Sequence, residues 1–510
     1  MSLLVIPVAL GVAAAGCGGG GSSSPSSSES GPAQRGGTLV FARPADNVSL
    51  DQTVVGDNES IWTNEQIFEP LYMVTPDGKD LKPWLATSYD RSPDNRKFTY
   101  HLRQGVKFSN GKPMTADDVA WSINRARTSG NGLTYIDEPI KDVKAPDGST
   151  VVVTTKRPWA PTPAIISFFA NAVIPKDFAG MSEKQFFKKP IGTGPFMVRE
   201  WKHGDHLTLV RNPHYWQKGK PYLDSIRFTN VSDDNQRILQ LKGGQAQIIR
   251  FPPSSAMQSL SKTPNLQAKG FPSTRVDYLL MNQKVKPYGD VHVRRAISYA
   301  IDRSALVKAA LFGQGKAADS YLAPSEAFYI SQPGAYSFDL DKAKQEMAAS
   351  SVPNGFTTTY LTSQGDKFAE IIQQELKQIG IDMKIKNIDI NQIFEVQGKG
   401  DYEITPEYWT EDIPDPDERT AWFLNESASH DYFTYHHSPR MKSLVLQSEK
   451  VFDESRRGAI YKQIQELHGE EMPQVPLTFS PYNYAWSSKV HGFYVSPLGN
   501  FHMEDVWLEK

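Results

Sequence analysis

At 510 residues the chain is well beyond the roughly 250–300 at which a single hydrophobic core stops growing, so two or more lobes are expected. Hydrophobic residues make up 39% and only the extreme N-terminus carries a long apolar run, which excludes a bundle of membrane-spanning helices; the formal net charge of -2, from 55 Lys and Arg against 57 Asp and Glu, gives no broad electrostatic reason to bind nucleic acid. The one cysteine, Cys17, excludes disulfides within the chain, cysteine-ligated iron–sulfur clusters and all-cysteine zinc sites.

Residues 3–15 are apolar or small and too short for a permanent membrane span, and they lead into Ala14-Ala15-Gly16-Cys17. This run resembles a lipoprotein signal, with Ala14 where such a signal usually has Leu. Cleavage before Cys17 would leave a thiol to carry a diacylglycerol; the other reading is a small-residue cleavage site with an incidental Cys. The following GGGGSSSPSSSESGPAQRGG is too poor in apolar groups to offset the entropy of ordering, so it reads as a flexible tether.

The folded part is expected to start near Thr38, with Leu39, Phe41 and Ala42 in a first strand. Residues 61–71 have helical spacing at Ile61, Ile67, Phe68 and Leu71, and TPDGKD at 75–80 is a turn. Tyr100, Leu102, Val106 and Phe108 favour strands, and Asn110-Gly111 is the strongest hairpin-type turn of the chain. Thr115 should cap a helix, because its hydroxyl accepts from backbone donors at the helix start while Asp117 and Asp118 suit the positive end of the dipole. Residues 143–155 read as a hairpin turning at Asp147-Gly148, and 159–171 is an apolar stretch. The stretch 191–228 is built like another hairpin: Gly192, Gly194 and Pro195 punctuate a turn, 196–201 and 207–210 alternate apolar with polar, and Gly204-Asp205 turns the chain between them. Asn212-Pro213 breaks the chain again, followed by Tyr215-Trp216 and a strand at 226–228. Residues 233–241 read as a helix. Further on, a strand should end at Asn282, a helix pair should break at Asp302, and a helix over 368–379 should stop at Gly380 before a strand through Ile381, Met383 and Ile385. Residues 402–404 and 476–479 are further strand candidates; α-then-β units of this kind belong to an α/β lobe.

In combination, GTGP at 192–195, RNPHYW at 211–216 and KPYLDSIRF at 220–228 closely resemble the family 5 extracellular solute-binding proteins, which deliver oligopeptides, dipeptides, nickel chelates or some sugars to ABC importers. The family pattern LxxGVKFxxGxPxTAxDV recurs at 102–119 and RRAISYAIDR at 294–303, so the resemblance runs from about Thr38 to Lys510. One departure is KGGQAQI at 242–248, where Gln247 replaces the usual Asp and cannot bear its charge. The resemblance implies an α/β protein with a two-lobed periplasmic-binding-protein-like fold (class II, large peptide-binder type) and an extra inserted lobe. It divides the chain into a signal peptide at 1–16, a tether at 17–36, a discontinuous domain I at 37–80, 195–275 and 482–510, an inserted lobe at 81–194 and domain II at 276–481. Two crossovers would form a hinge that closes on solute.

The chemistry is expected in YWTEDIPDPDERTAWF at 408–423, where Trp409 stands three residues before Asp412 in a Pro-rich stretch that cannot be a continuous helix. The resemblance implies that Asp412 pairs with the α-ammonium of a peptide and Trp409 lines a side-chain pocket, since a desolvated ammonium needs an anionic acceptor. Trp422 and Tyr435 are the weaker ligand-binding candidates. On the residues alone, Asp412, Asp415 and Asp417 read equally as solvated loop acids, and the aromatics as core.

His430, His436 and His437 match no standard zinc or nickel spacing, HExxH is absent, Gly313-Gln314-Gly315-Lys316 lacks the phosphate-loop frame, and no GxSxG elbow occurs. The expectation is therefore no enzyme, no catalytic residue, no cofactor and no metal. The implied protein is the substrate-binding component of an ABC importer, a lipid-anchored monomer on the outer face of the cytoplasmic membrane. Its partners would be a peptide or other small solute, permease and ATPase subunits, and the membrane through Cys17. The competing readings are the same transport role with an oligosaccharide or other non-peptide ligand, a lipid-anchored surface hydrolase or transferase, and a sensory receptor.

Overall fold

Strand Thr38–Arg43 lies at the centre of a seven-stranded sheet, parallel to Ser225–Asn230 on one side and Ile248–Arg250 on the other. The structure, a computed structural model, describes residues 32–425 and 434–510, so the readings of Cys17, the tether up to residue 31 and His430 lie outside it. The alternation of TLVFAR explains the position of the strand. Leu39 and Phe41 enter the largest apolar core, whereas Val40 and Ala42 face a smaller one with Ile249, Leu241 and Ala485. Antiparallel His206–Arg211 and Phe196–Lys202 extend one edge, and Tyr482–Ser487 and Leu266–Phe271 the other.

The glycines of GTGP are required by a close approach. Gly194 N–H donates to the Ile67 carbonyl at 2.9 Å, and a Cβ at Gly192 or Gly194 would stand 2.0 or 2.6 Å from that oxygen. Asn212 Nδ2 donates to the Gly194 carbonyl at 2.8 Å, and Tyr215 Oη and Trp84 Nε1 donate to Glu69 Oε1 at 3.0 and 2.7 Å. The hairpin words thus describe a clamp around one buried carboxyl. Helix Asn58–Asn64 is shorter than the apolar spacing over 61–71 suggests, because the chain turns after Asn64 so that Ile67 can meet these glycines.

A four-stranded antiparallel sheet, ordered Ala86–Arg91, Lys97–Leu102, Thr150–Thr155, Ile140–Asp147, packs against helix Ala116–Ser129. Thr115 and Asp118 form a reciprocal capping box at the start of this helix. Phe98, Tyr100, Val119 and Val153 belong to the same apolar core as Leu39 and Phe41, so this sheet and the seven-stranded one share an interior.

The third sheet has six strands in the order Lys316–Ala317, Gln474–Phe479, Val276–Met281, Ile404–Trp409, Phe356–Ser363, Ile381–Ile388. Its strand VDYLLM is buried throughout because both faces are covered: Leu279 and Met281 enter one cluster, and Val276, Tyr278 and Leu280 another. The helix pair Val291–Ala300 and Arg303–Ala309 breaks at Asp302 because its carboxylate caps the second helix, accepting from Ser304 N–H and Ala305 N–H at 3.0 Å. Gly380, at φ 83°, ends the helical run before Ile381–Ile388. The chain passes between the seven- and six-stranded sheets at 272–275 and again at 480–481, and Ser273 Oγ donates to the Ser480 carbonyl, tying the two passages together. Gln247 serves as a neutral link, its Oε1 accepting from Val40 N–H at 2.8 Å and its Nε2 donating to the Gly244 carbonyl at 3.1 Å. Among the described residues no helix is long and apolar enough to cross a membrane.

Candidate functional site

Strand Ile404–Trp409 runs antiparallel to Val276–Met281 and ends with Trp409 opposite Val276, beside the passage at 272–275. Pro414 and Pro416 prevent an immediate helix, so residues 410–416 form a loop before helix Asp417–Leu424. Glu411 N–H donates to Thr274 Oγ1 at 2.9 Å, anchoring the loop to that passage.

The loop concentrates carboxylates that its cations do not balance. Arg419 is fully buried and lies between Glu326 and Glu411, at 2.9 and 3.0 Å, while also donating to the Tyr321 carbonyl at 3.0 Å. Arg457 is held by both oxygens of Asp415, at 2.6 and 2.8 Å. These pairings leave Asp412, Asp417 and Glu418. Glu418 Oε2 accepts from Asp412 N–H at 2.8 Å and Ile413 N–H at 3.2 Å, the Glu418 side chain also pairs with the Asp412 and Glu411 carboxyls, and Asp417 Oδ1 is buried without a hydrogen-bond donor among the described residues. Burial pushes Asp412 up to about 7, against the pull of a hydrogen bond with the Glu418 side chain. Burial and the charge of Asp412 push Glu418 well above the carboxylate range.

Asp412 also faces the seven-stranded sheet. Its charge raises Glu65, just past helix Asn58–Asn64, and Tyr482, the first residue of an opposing strand; Glu65 is pushed up to about 8, chiefly by burial. Asn500 Nδ2 donates to Glu65 Oε1. A carboxyl from the six-stranded side is thus coupled electrostatically to groups on the seven-stranded side.

The aromatics form a ladder. Trp409 and Trp422 have ring centroids 5.8 Å apart at 31°, Trp409 and Phe423 5.4 Å at 76°, and Trp422 and Tyr135 4.3 Å at 36°. Tyr135 belongs to the short 3-10 turn Thr134–Asp137 that follows the helix of the four-stranded lobe. Between this turn and helix Asp417–Leu424 lies a cavity of about 450 Å³, with Tyr135, Trp159 and Trp422 as walls and Asp417, Glu418 and Glu449 as polar lining. The volume falls within the roughly 300–1,000 Å³ of ordinary ligand pockets.

Asp412, Trp409 and Trp422 are therefore gathered in one place. Tyr435 is not with them: Lys284 Nζ lies 3.5 Å over its ring and its hydroxyl abuts Gly400, at the Met281 end of the strand whose Val276 end faces Trp409. At about 3.3 Å per residue the two ends of this six-residue strand are roughly 17 Å apart. Of the histidines, His436 bonds Gln283 Oε1 at 3.0 Å and Glu471 Oε2 at 2.8 Å, and His437 is exposed. Among the described residues no group of three or more His, Cys, Asp or Glu is arranged to hold a metal ion. Tyr135, Trp159 and Glu65 escaped sequence reasoning because nothing near them in the chain marks them. Glu418 had one available signal, the acid density of 411–418.

A sequence model of the bacterial extracellular solute-binding proteins, family 5 middle, matches residues 80–431. The glutathione-binding protein GsiB of Salmonella typhi is 30% identical over 506 residues, covering 94% of this chain and 96% of that protein. The ABC transporter-associated periplasmic binding protein DppA from Helicobacter pylori, solved with the peptide STSA, superposes with a TM-score of 0.82 at 29% identity, covering 94% of this chain and 99% of its own. The binding protein AgaA of A. tumefacien R10, solved with agropinic acid, gives a TM-score of 0.80 at 28% identity over 93% and 99% of the two chains.

Proposed function

We infer the function from one premise: the chain belongs to the bacterial extracellular solute-binding proteins of family 5. Within that family it serves as the substrate-binding component of an ABC importer. It captures a short peptide with a free N-terminus between its lobes and hands it to a permease driven by an ATPase subunit.

The observation that carries this reading is Asp412. Among the described residues no cation pairs with this carboxyl, which is coupled electrostatically to Glu65 of the seven-stranded side and precedes Ile413, a lining residue of the aromatic-walled cavity of about 450 Å³. An ammonium placed there would relieve the uncompensated acid and lose its own desolvation penalty to the same contact. Trp409 and Trp422 stand next to it as apolar surface for the first side chains, and Tyr435 drops out of the site because of its distance. In relatives, glutathione and a tetrapeptide are the named ligands, which fits an amine-bearing solute, while agropinic acid in AgaA marks the non-peptide alternative.

The three sheets are taken as the floors of domain I (37–80, 195–275 and 482–510), the inserted lobe (81–194) and domain II (276–481), with the tied passages at 272–275 and 480–481 as the hinge. Closure needs no chemistry, only higher affinity of ligand for the closed state. No catalytic residue is assigned. The protein acts as a monomer held to the outer face of the membrane by a lipid on Cys17. Native mass spectrometry of protein purified from its own cells tests the ligand class: a retained mass that fragments as a peptide supports the reading, and one that fragments as a sugar overturns it.

A further inference from the structure

Helix Asp417–Leu424 holds the loop before it through two consecutive side chains. Glu418 Oε2 receives the backbone N–H groups of Asp412 and Ile413. Arg419, next in the chain and fully buried, meets the Glu411 carboxyl with Nε at 3.0 Å. The other nitrogens of its guanidinium reach different segments: Nη1 donates to Glu326 Oε2 at 2.9 Å and to the Tyr321 carbonyl at 3.0 Å, and Nη2 donates to the Thr274 carbonyl. Thr274 lies in the first passage between the seven- and six-stranded sheets, and its Oγ1 accepts from Glu411 N–H at 2.9 Å. The residue before it, Ser273, is held on both sides, since its carbonyl accepts from Ser325 Oγ at 2.7 Å and its own Oγ donates to Ser480 of the second passage. Residues 411, 412 and 413 are thus pinned one after another, and the pins on Glu411 lead to the passage at 272–275.

We propose that Arg419 is a positioning residue for the ammonium site: together with Thr274 it fixes the Asp412 loop to the hinge, so that the carboxylate is already ordered when a peptide N-terminus arrives. This rests on the reading of Asp412 as the ammonium acceptor and of 272–275 as part of the hinge. Arg419 is wholly enclosed by protein, so its effect on ligand must pass through the loop it holds. A loop that is ordered only on binding lowers affinity by the entropy of that ordering, and one held beforehand avoids the loss. Arginine suits the task because its planar fork presents Nε, Nη1 and Nη2 to three directions at once, whereas the ammonium of lysine brings the charge without the plane. Apolar side chains of similar volume often replace such buried ion clusters without loss of stability, so the cluster is better explained by the geometry it fixes than by the stability it adds.

The test is calorimetry with trialanine on the full chain carrying Thr274→Val or Arg419→Lys, each alone and combined with Asp412→Asn. Thr274→Val and Arg419→Lys both preserve formal charge, so a change in affinity reports geometry and not the field at Asp412. Each should weaken trialanine binding by about fivefold or more when Asp412 is present, and by less than about twofold when it is combined with Asp412→Asn, because a residue that positions a carboxylate has nothing to position once the carboxylate is gone. A residue of merely structural importance would lower affinity equally in both backgrounds; that result, or no change in either, overturns the proposal and leaves the peptide reading standing. Failure of trialanine to bind the unaltered chain, or unchanged affinity on Asp412→Asn alone, overturns the ammonium reading and the proposal with it. Thr274→Val exchanges one hydroxyl for a methyl group, and it decides the matter if Arg419→Lys fails to fold.

Discussion

Tyr135 and Trp422 meet ring to ring, centroids 4.3 Å apart and planes inclined by 36°, so that a turn of the four-stranded lobe and a helix of the six-stranded lobe close one side of the candidate cavity together. Such a contact adds about 0.5–1.5 kcal/mol beyond the area it buries. Tyr135→Ala should therefore expose Trp422 to water, shift tryptophan emission to longer wavelength, and weaken tripeptide binding by roughly 2- to 10-fold. An unchanged emission maximum with unchanged affinity would make the contact incidental to the site.

Stability should vary with pH in an unusual direction. Burial pushes Glu65 up to about 8 and Glu69, Asp137 and Glu504 up to about 7. Each keeps in the folded chain a proton that it would release when unfolded above about pH 4. From there to about 7 the folded state holds the extra protons, so unfolding free energy falls as pH rises through the window. His468 and His502 oppose this, since burial lowers both to about 3 and their unfolded forms take up protons below about 6.5. Glu375, Glu407, Asp412 and Glu449 are likewise pushed up to about 7, so the carboxyls outweigh the two imidazoles, which no longer contribute above about 6.5. Thermal unfolding of the ligand-free protein should give a higher Tm at pH 5.5 than at pH 7.5; the reverse order would mean that these carboxyls are ionised in the fold.

Local sequence made much of the scaffold legible. The capping box at Thr115, the break at Asp302 and the stop at Gly380 are each decided within a few residues by a side chain or a backbone angle. The glycines of GTGP were legible as punctuation but not in their purpose, because the Ile67 carbonyl they accommodate lies more than a hundred residues earlier. The site divides the same way. Asp412, Trp409 and Trp422 share one short stretch and are found together, whereas Tyr135, Trp159 and Glu65 reach it only through long-range packing of separate sheets. Tyr435, 23 residues after Asp412 in the chain, stands instead at the far end of the strand Val276–Met281, beside Lys284 and Gly400.

The decisive measurement concerns Asp412 itself. If a peptide ammonium docks there, its charge must favour the ionised carboxylate, so a group that burial pushes up to about 7 in the free protein releases its proton on binding. Affinity for a free-amine tripeptide should then fall by about 5- to 10-fold between pH 7.5 and pH 6, where the ligand amine is mostly charged throughout. Asp412→Asn keeps the shape and removes the charge. Losing one member of a buried charged pair costs about 2–5 kcal/mol, so affinity at pH 7.5 should drop roughly 30-fold or more. The variant's binding should also lose its dependence on pH over this range. N-acetylating the peptide should weaken wild-type binding to a similar extent and weaken the variant little further, because one interaction cannot be lost twice. Calorimetry on the four combinations of protein and peptide, at both pH values, separates these effects. Equal affinity of the unaltered chain and Asp412→Asn for the free-amine tripeptide would remove Asp412 from the site and shift the ligand towards a neutral solute.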